Sequence, residues 1–521
     1  MIAKSALENF RNRKLKSYDW LKDVSRDELL DAIESLPGKV NFRLRPFHHQ
    51  LVAFFLGAKL PNFLFMLDMG LGKTFISLAL MEYYKSLEEV DKVLVVCPNQ
   101  ASVDTWEEET AKFTDLSFTQ LMGSREHRES LIEIPSDIHC INYGGLMPMG
   151  GKRERNVKKK KEEVKLDAKR ATSFASNYDM VIFDEIHNLK NQQSVTWKIA
   201  NVLCKKINYR YGLTGTPFGR NPEDLWAQFN LIDRGETLGT TLGLFRESFF
   251  NKKKNKYAKS EFSFIYTFPK RNEKLLNKTL QHKSIVYDET ECNNLPPKIE
   301  KRIPIRVPEE IRDYYNQIIE GAINSKGDSE ELGNSFVRMR QLTAGFLNLK
   351  DEDGESCEFE MGVNPKIEAL ETIVDGLPKD AKMVIFHEFI YSSKMISDML
   401  TRKKIGHVCL NSKSAEKKTA ISDWKRKKSI QILVSNSKMG GTGNNFQQAK
   451  YQVYYESPVS PITRRQADKR VWRTGQTKTV FIYDLVMMNT VDERVLEFLQ
   501  EGKSLRDAIM TSPKLLEDMK I

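Results

Sequence analysis

The first half of the chain carries a series of short apolar runs, at residues 63–67, 93–97, 138–142, 180–183 and 209–213. Each run has the length of a buried strand, and the stretches between the runs have helical character. Strands that alternate with helices form parallel sheets covered by helices. The functional residues of such sheets gather at the carboxyl ends of the strands, and polar residues follow these runs.

A second alternating series begins after residue 290, with apolar runs at residues 383–386, 407–410, 430–434, 451–455 and 480–486. These runs predict a second α/β lobe, and no sequence repeat relates the two lobes. A chain of 521 residues is also too long for one hydrophobic core. We predict five segments: an N-terminal helical extension at 1–40, a first lobe at 41–235, helical insertions and a connector at 236–360, a second lobe at 361–505 and a tail at 506–521.

The N-terminal extension contains one clear helix signal. Ser25 is followed three residues later by Glu28, which is the spacing of a capping box. Leu29, Ile33 and Leu36 then form an apolar stripe, which a Pro-Gly pair ends. We expect this helix to pack on the first lobe rather than to act as a separate binding arm.

A glycine-rich turn, Gly70-Leu71-Gly72-Lys73-Thr74, lies between the strand at 63–67 and an apolar helix. Such a turn exposes backbone N–H groups, and the helix N-terminus adds the positive end of its dipole. A lysine at this place reaches the outer phosphates of a nucleotide, and the following hydroxyl can ligate magnesium. The turn therefore predicts an ATP site. Phosphate loops usually begin with Gly or Ala where this chain has Leu67, which raises the question of whether the larger side chain slows nucleotide entry or tilts the loop.

Two further features complete the candidate site of the first lobe. Asp184 and Glu185 directly follow the apolar strand at 180–183. A carboxylate in that place can hold magnesium, usually through water, and a second carboxylate can orient or deprotonate the attacking water. Upstream, the amide of Gln50 offers both a donor and an acceptor, which suits the edge of adenine.

The second lobe supplies a basic pair. Arg470 and Arg473 are three residues apart, so on a helix they share one face. Planar guanidinium groups suit a γ-phosphate, whose charge is spread over several oxygens. Ahead of this pair, the glycine-rich stretch 440–445 offers backbone N–H groups to the phosphates of a nucleotide or of a nucleic-acid strand.

These segments, in this order, resemble the motor of superfamily-two helicases, and specifically that of the Swi/Snf-type DNA translocases. The resemblance covers residues 40–505. Its motifs are Gly70-Leu71-Gly72-Lys73-Thr74 (motif I), Cys97-Pro98 with Trp106 and Glu109 (Ia), Asp184-Glu185-Ile186-His187 with Lys190, Asn191 and Ser194 (Walker B), Leu213-Thr214-Gly215-Thr216-Pro217 (III), Leu295-Pro296-Pro297-Lys298 (connector), Ile385-Phe386-His387-Glu388-Phe389 (IV), Gly440-Gly441-Thr442-Gly443-Asn444-Asn445 (V), and Gln466 to Arg470 with Arg473 and Thr474-Gly475-Gln476 (VI). The chain departs from the family pattern at Leu67, at Ile186 and in residues 457–461, and none of these departures removes a catalytic group.

The resemblance implies an α/β fold of two tandem RecA-like lobes, which are parallel sheets flanked by helices, with helical insertions between them. It also implies a role for each matching residue. The implied catalytic residues are Lys73, Asp184, Glu185, Arg470 and Arg473. The implied ATP-binding residues are Gln50, Gly70, Leu71, Gly72, Lys73, Thr74, Gly443, Gln466, Arg470 and Arg473. The implied magnesium ligands are Thr74 and Asp184, the coupling residues are Thr214 and Thr216, and the DNA contacts are Lys190, Asn191, Lys438 and Asn445.

The function implied by this resemblance is that of a DNA-dependent ATPase, with ATP and magnesium, that translocates on duplex DNA and remodels DNA structures or protein–DNA complexes. A strand-separating or branch-migration helicase that acts on forks and junctions is an alternative with the same motor. The motor subunit of a restriction or defence system is another. A non-catalytic DNA-binding scaffold and an RNA-directed motor complete the alternatives. The chain shows no chromodomain, bromodomain or zinc-finger segment, which favours a compact bacterial or viral form over a dedicated chromatin remodeller.

The positive net charge of the chain favours a polyanionic partner such as duplex or branched DNA. Lys and Arg outnumber Asp and Glu by 81 to 70, which gives a net charge of +11. Two Lys-rich stretches, at 152–170 and 252–256, are either solvated loops or contacts to nucleic-acid phosphates.

Cysteine usage and the N-terminus bear on location. The six cysteines are scattered and form no Cys-x-x-Cys pair, which argues against a zinc site or a disulfide framework and fits a reducing compartment. The N-terminus has no apolar signal core, and no run is long enough to span a bilayer, so we expect no membrane partner. We expect a monomer in the cytoplasm of a bacterial or virus-infected cell, or in the nucleus of a eukaryotic one.

Overall fold

The structure is a computed structural model that describes residues 7–8, 10, 12–156, 161–215, 222–254, 264–292, 295–324, 328–350, 356–410, 417–440, 445–473 and 476–521. Two predicted site residues, Thr216 and Gly443, lie outside the described residues. The chain forms two compact units, Met1–Asn293 and Asn294–Ile521.

The first unit is built on a parallel sheet. Its strands are β1 (Phe63–Leu67), β2 (Val93–Cys97), β3 (Phe118–Gln120), β4 (Ile138–Asn142), β5 (Gly151–Asn156), β6 (Lys161–Leu166), β7 (Met180–Phe183), β8 (Tyr209–Thr214), β9 (Asn251–Lys254), β10 (Phe264–Thr267) and β11 (Ser284–Tyr287). Seven of them form the main sheet in the order β11-β1-β8-β7-β2-β4-β3, and its pairs are parallel. The five apolar runs predicted as strands are β1, β2, β4, β7 and β8.

Helices cover both faces of this sheet. They are α1 (Arg26–Glu34), α2 (His48–Lys59), α3 (Lys73–Ser86), α4 (Gln100–Phe113), α5 (Arg125–Ile132), α6 (Tyr143–Gly150), α7 (Ala168–Ala175), α8 (Val195–Lys206), α9 (Glu223–Asp233), α10 (Leu242–Phe249), α11 (Glu273–Leu280) and α12 (Glu289–Cys292). Alternate side chains of β1 enter two cores, since Leu64 and Met66 lie in one and Phe63 and Phe65 in the other. A sheet that is buried on both faces explains why its strands are continuous apolar runs.

The predicted N-terminal helix is confirmed. Helix α1 begins after Ser25, whose hydroxyl and backbone N–H both take part in a capping box with Glu28. Leu29 and Ile33 are buried in the same core as the side chains of α2 and β1. The helix therefore belongs to the first unit.

The two Lys-rich stretches contribute strands to antiparallel hairpins, whereas the sequence leaves solvated loops and phosphate contacts open for them. Strand β5 pairs with β6, and β9 pairs with β10. Residues 157–160 and 255–263, between the paired strands, lie outside the described residues. Charge runs resemble solvated loops in sequence because both faces of such a hairpin can remain exposed.

The second unit is also a parallel α/β unit. Its strands are β12 (Lys298–Ile305), β13 (Phe346–Lys350), β14 (Ser356–Glu360), β15 (Met383–His387), β16 (His407–Leu410), β17 (Ile432–Asn436), β18 (Tyr451–Tyr454) and β19 (Val480–Met487). The main sheet has the order β12-β19-β18-β15-β17-β16. Its helices are α13 (Glu309–Asn324), α14 (Ser329–Thr343), α15 (Pro365–Asp375), α16 (Ile390–Arg402), α17 (Lys417–Arg426), α18 (Pro461–Val471), α19 (Val491–Gln500) and α20 (Leu505–Thr511). The predicted fold of two α/β lobes is confirmed.

Two strands near the predicted connector were not anticipated from the sequence. Strand β11 closes one edge of the first sheet, and β12 pairs along its whole length with β19 in the second. Most side chains of β12 are exposed, because it is an edge strand, and it therefore has no apolar run. In the described part of the chain, no helix is long and apolar enough to cross a membrane.

A buried carboxylate lies at the carboxyl edge of the second sheet. Glu456 follows β18 and is 1% exposed. Its carboxylate accepts hydrogen bonds from the hydroxyl of Ser392 and from the backbone N–H of Glu388, at 2.8 Å for the latter. Burial raises the pKa of Glu456 to about 7, although the charge of Lys366 and both hydrogen bonds oppose the rise.

This pKa predicts a pH-dependent stability. The folded carboxyl binds its proton more tightly than the unfolded one, so ionisation of Glu456 lowers the free energy of unfolding as the pH rises from about 4.5 to about 7. We expect Glu456→Gln to be more stable than the parent at pH 8, by on the order of 3 kcal/mol at most. The advantage should vanish near pH 5 in urea unfolding curves. Glu368→Gln, at an exposed position of α15, is the matched control, and an equal pH dependence in both variants would contradict the prediction.

Candidate active site

The glycine-rich turn of the first unit connects β1 to α3. Gly70 and Gly72 both have left-handed backbone, with φ of 87° and 79°. A Cβ atom on Gly72 would lie 2.2 Å from Nε2 of Gln50. Glycine is therefore required at this position by conformation and by space, and the loop keeps its backbone open to a ligand at the start of α3.

Lys73 folds back over this loop. Its Nζ donates to the carbonyl oxygens of Leu67 at 3.0 Å and Asp68 at 3.4 Å. The side chain of Leu67 is fully buried in the core below β1. The core thus accommodates the larger side chain that departs from the usual phosphate loop.

Asp184 stands at the carboxyl end of β7. Its Oδ2 accepts a hydrogen bond of 3.1 Å from Nε1 of Trp106 on α4, and its backbone carbonyl accepts one of 2.8 Å from the hydroxyl of Tyr143. Burial and the neighbouring charge of Glu185 raise the pKa of Asp184 to about 6. Trp106 thus holds the carboxylate of Asp184, and Tyr143 holds the backbone of the same residue.

Glu185 has an unusual backbone conformation. Its φ is 48°, in the left-handed region that residues with a side chain rarely adopt. Nδ1 of His187 lies 3.2 Å from Oε2 of Glu185 and 3.3 Å from Oγ1 of Thr214. Burial alone would raise the pKa of Glu185, but the hydrogen bond from His187 and the charge of Lys73 bring it below its ordinary value. Glu185 is therefore held as a carboxylate.

Gln50 lies beside the same turn, on the first turn of α2. Its Oε1 accepts from the backbone N–H of Phe47 at 2.9 Å, and its Nε2 donates to the carbonyl of Leu71 at 3.3 Å. One amide hydrogen and one lone pair remain for a ligand. The structure thus brings together, in the first unit, these predicted residues: Gln50, Gly70, Leu71, Gly72, Lys73, Thr74, Asp184, Glu185 and Thr214.

The second unit holds the basic pair in an arrangement that differs from the prediction. Helix α18 ends at Val471, so Arg470 is in its last turn and Arg473 lies beyond its end. The two residues therefore do not share a helix face, because Trp472 leaves the helical conformation. Arg470 is only 3% exposed, and its Nε and Nη1 have no hydrogen-bond partner among the described residues.

The environment of Arg470 is unfavourable for a cation. Burial, and then the charge of Arg473, lower the pKa of Arg470 to about 9. A buried guanidinium with unpaired N–H groups beside a second guanidinium is stabilised by an anion. Gln466 lies four residues before Arg470 on α18, so these two side chains are on one face of the helix.

The predicted DNA contacts are distributed over both units. Lys190 is exposed and lies 3.7 Å from Asp224, and Asn191 shapes the turn ahead of α8 by accepting a hydrogen bond from Gln193. In the second unit, the exposed Lys438 lies 3.6 Å from Glu388. Oδ1 of Asn445 accepts from the backbone N–H of Gln447. Their role in DNA binding stays a prediction.

Comparison with known proteins identifies the family. A model of the SNF2-related domain matches residues 43–358, and a model of the helicase conserved C-terminal domain matches residues 365–475. The chain belongs to the SNF2-related family. The predicted resemblance is confirmed, and so is the prediction of an ATP hydrolase of the helicase type.

Similar proteins occur in bacteria and in a phage. An uncharacterized ATP-dependent helicase of Mycoplasma genitalium is 25% identical over 84% of this chain and 39% of its own length. Protein p41 of Acyrthosiphon pisum secondary endosymbiont phage 1 is 23% identical over 91% of this chain and 99% of its own length. The solved SWI2/SNF2 ATPase core of Sulfolobus solfataricus in complex with dsDNA is 23% identical, covers 93% of this chain and 99% of that chain, and has a TM-score of 0.39. The chain spans about two fifths of the length of the first curated relatives that it matches.

A buried ion-pair network holds helix α18 of this SNF2-related protein in place. Arg464 on α18 makes two hydrogen bonds to the carboxylate of Asp484 on β19, at 2.5 and 2.9 Å. Its guanidinium lies 3.7 Å from the ring centroid of Tyr454. The hydroxyl of Tyr454 donates to Asp468, one helical turn after Arg464, at 2.8 Å. The network ties α18 to β18 and β19.

Sequence reasoning missed the role of Trp106, His187 and Arg464. Trp106 and His187 were named only as members of motifs, because the contact between Trp106 and Asp184 joins residues 78 positions apart. Arg464 has one signal in the sequence, which is its place four residues before Asp468 on a predicted helix. Its more important partner, Asp484, is on a separate strand.

We expect Trp106→Phe to lower ATP turnover while it preserves the aromatic packing. The variant removes the donor to Asp184, and a hydrogen bond to a charged group contributes about 1.5–3 kcal/mol. The value of kcat/KM should therefore fall roughly 10- to 100-fold in steady-state ATPase assays. Trp197→Phe is the matched control, since Nε1 of Trp197 donates to the backbone carbonyl of Ala227 in the same unit. A similar loss of activity in both variants would refute a specific role of Trp106.

We expect Arg464→Lys to destabilise the second unit by on the order of 2 kcal/mol, because lysine cannot make the two parallel hydrogen bonds to Asp484. Urea unfolding measures this loss. Arg465→Lys changes the adjacent, exposed arginine and should leave the unfolding curve in place. If the Arg464 variant unfolds like the parent, the network does not hold α18.

Proposed function

We propose that this SNF2-related protein is a DNA-dependent ATPase that translocates on duplex DNA and remodels DNA structures or protein–DNA complexes. The observation that carries the proposal is the convergence of Lys73, Asp184 and Glu185 at the carboxyl edge of one parallel sheet. The family supports ATP-driven action. The net charge of +11 supports a polyanionic partner.

In this proposal the glycine turn receives the phosphates of ATP. The backbone at Gly70 and Gly72 approaches them closely, and the Nζ of Lys73 exchanges its carbonyl partners for β- and γ-phosphate oxygens. Gln50 uses its remaining donor and acceptor on the adenine edge. These groups bind and orient the nucleotide before the reaction.

Magnesium fits the donor set of the first unit. The hydroxyl of Thr74, on the first turn of α3, and the carboxylate of Asp184 are oxygen ligands of the kind that magnesium prefers. When bound, the ion neutralises charge on the β- and γ-phosphates. Trp106 keeps the Asp184 carboxylate oriented towards this role through its hydrogen bond.

Glu185 is proposed as the group that orients the attacking water and takes its proton. Its lowered pKa keeps it ionised and able to accept a hydrogen bond. His187 contacts both Glu185 and Thr214, so it connects the carboxylate to the end of β8. We propose that this contact, together with Thr216, reports the state of the nucleotide to the rest of the first unit.

Arg470 and Arg473 are proposed to neutralise the γ-phosphate, with Gln466 close to it. The Nε and Nη1 groups of buried Arg470, which have no partner among the described residues, support this role, because an anion would satisfy them. Repeated cycles of ATP binding and hydrolysis would then change the grip on DNA through the proposed contacts Lys190, Asn191, Lys438 and Asn445.

The preferred DNA structure separates this proposal from its alternatives. We expect duplex DNA to stimulate ATP hydrolysis without separation of its strands. The test compares ATPase rates with duplex, single-stranded, forked and four-way-junction DNA and with RNA, and it measures unwinding of the same substrates. Strand separation would favour the helicase alternative, and stimulation by RNA alone would refute a DNA-dependent enzyme.

We expect Lys73→Ala to reduce ATP turnover at least about 100-fold, because the variant loses the cation that contacts the outer phosphates. Its affinity for duplex DNA, measured by fluorescence anisotropy, should remain within a few-fold of the parent. Lys85→Ala, at the other end of the same helix, removes a surface contact to Asp137 and should keep its activity. An unchanged ATPase rate in Lys73→Ala would disprove the assignment of the phosphate loop.

A further inference from the structure

The hairpin formed by β9 and β10 is exposed on both strands. Lys252, Lys253 and Lys254 are directly opposite Tyr266, Ile265 and Phe264 in the antiparallel register. All residues of β9 are exposed. The side chains of Phe264 and Ile265 are also exposed, at 38% and 46%. The hairpin therefore presents lysines and large apolar side chains together.

The base of this hairpin is anchored in the first unit. Tyr266 and Phe268 pack against the core, and the ring centroids of Phe268 and Phe250 are 5.3 Å apart. The guanidinium of Arg246 lies 4.8 Å from the ring of Tyr266. A fixed base and an exposed end are the features of a projecting arm.

The charge of the hairpin is unbalanced. Residues 251–267 contain five lysines and one glutamate. Within the described residues, Lys252 forms an ion pair with Glu247 at 2.7 Å, whereas Lys253 and Lys254 form none. Neither β9 nor β10 contains a carboxylate, so no described residue of the hairpin neutralises these two lysines.

The β5–β6 hairpin shows the contrasting case. Glu154 on β5 forms ion pairs with Lys152 at 2.7 Å and with Lys165 on β6 at 2.9 Å. These two lysines lower the pKa of Glu154 to about 2. Lys152 and Lys165 are thus paired with a carboxylate of their own hairpin, whereas β9 and β10 contain none.

We propose that the β9–β10 hairpin is a DNA-binding arm that contacts phosphates of duplex DNA through Lys253 and Lys254. A two-stranded ribbon fits the major groove of B-DNA, and lysines supply phosphate contacts that do not depend on sequence. Phe264 and Ile265 then contact apolar parts of the groove. This inference rests on the proposed function, since it assigns part of the DNA contact to one of the two Lys-rich stretches for which the sequence leaves solvated loops and phosphate contacts open.

The competing explanation is that the lysines protect an open sheet edge. Lysine on an edge strand discourages pairing with another chain. That role needs no DNA, and it predicts no change in the salt dependence of DNA binding. The exposed ring of Phe264, whose centroid is 4.3 Å from the Nζ of Lys252, favours the DNA-binding role. Protection of a sheet edge by lysines requires no exposed aromatic side chain.

The test measures binding of a fluorescent random-sequence duplex to the full chain between about 50 and 200 mM salt. Each lost phosphate contact reduces the slope of log K against log salt by about 0.9. We expect Lys253→Gln/Lys254→Gln to reduce the slope by about 1.8, so that its affinity falls about 12-fold less than that of the parent over this range. The matched control, Lys152→Gln/Lys165→Gln, removes the same charge from β5–β6 and should keep the parent slope.

A conservative variant separates loss of contact from misfolding. Lys253→Arg/Lys254→Arg keeps both cations and should retain the parent slope, and the thermal midpoint of every variant is measured. The role of the arm would be overturned if Lys253→Gln/Lys254→Gln keeps the salt slope of the parent. It would also be overturned if the β5–β6 control loses as much of the slope. In both cases the proposed function stands. If the parent chain itself does not bind duplex DNA, both the arm and the proposed function are wrong.

Discussion

The candidate site of the first unit depends on the electrostatic repulsion between two neighbouring carboxylates at the end of one buried strand. Asp184 and Glu185 repel each other and are both partly removed from water, so each needs a partner. Trp106 donates to Asp184, His187 contacts Glu185, and the charge of Lys73 acts on both. These partners come from α4, from the turn after β7 and from the start of α3. The order of strands in the sheet is what brings them to the same edge.

The second unit presents the opposite electrostatic problem. Arg470 is buried next to another guanidinium, and part of its hydrogen-bonding capacity is unused within the described residues. One unit therefore gathers negative charge that a metal ion would relieve, and the other gathers positive charge that an anion would relieve. Magnesium would meet the first requirement and a phosphate group the second, each within its own unit. Both groups belong to the chemistry of the proposed ATPase.

Much of the fold follows from the sequence, because strands buried on both faces consist of consecutive apolar residues. The strands β1, β2 and β7 could be predicted for this reason, and so could the turn that positions Lys73. Strand β12 and the two Lys-rich hairpins could not, because exposed strands lack an apolar pattern and look like charged loops. The end of α18 before Arg473 was also missed, since nothing in the local pattern marks Trp472 as the residue that leaves the helix. The partners of Asp184 and Arg464 depend on tertiary contacts, which spacing along the chain does not reveal.

The network around Arg464 has a mechanical consequence. Helix α18 is joined to β18 and β19 by ion pairs and a stacked ring near its N-terminal half, and it carries Arg470 in its last turn. A force on Arg470 would therefore act on a helix whose N-terminal half is anchored to the sheet. Little of the displacement would be absorbed as bending or slippage of the helix. Movement of the arginine would instead be transmitted through these contacts to β18 and β19.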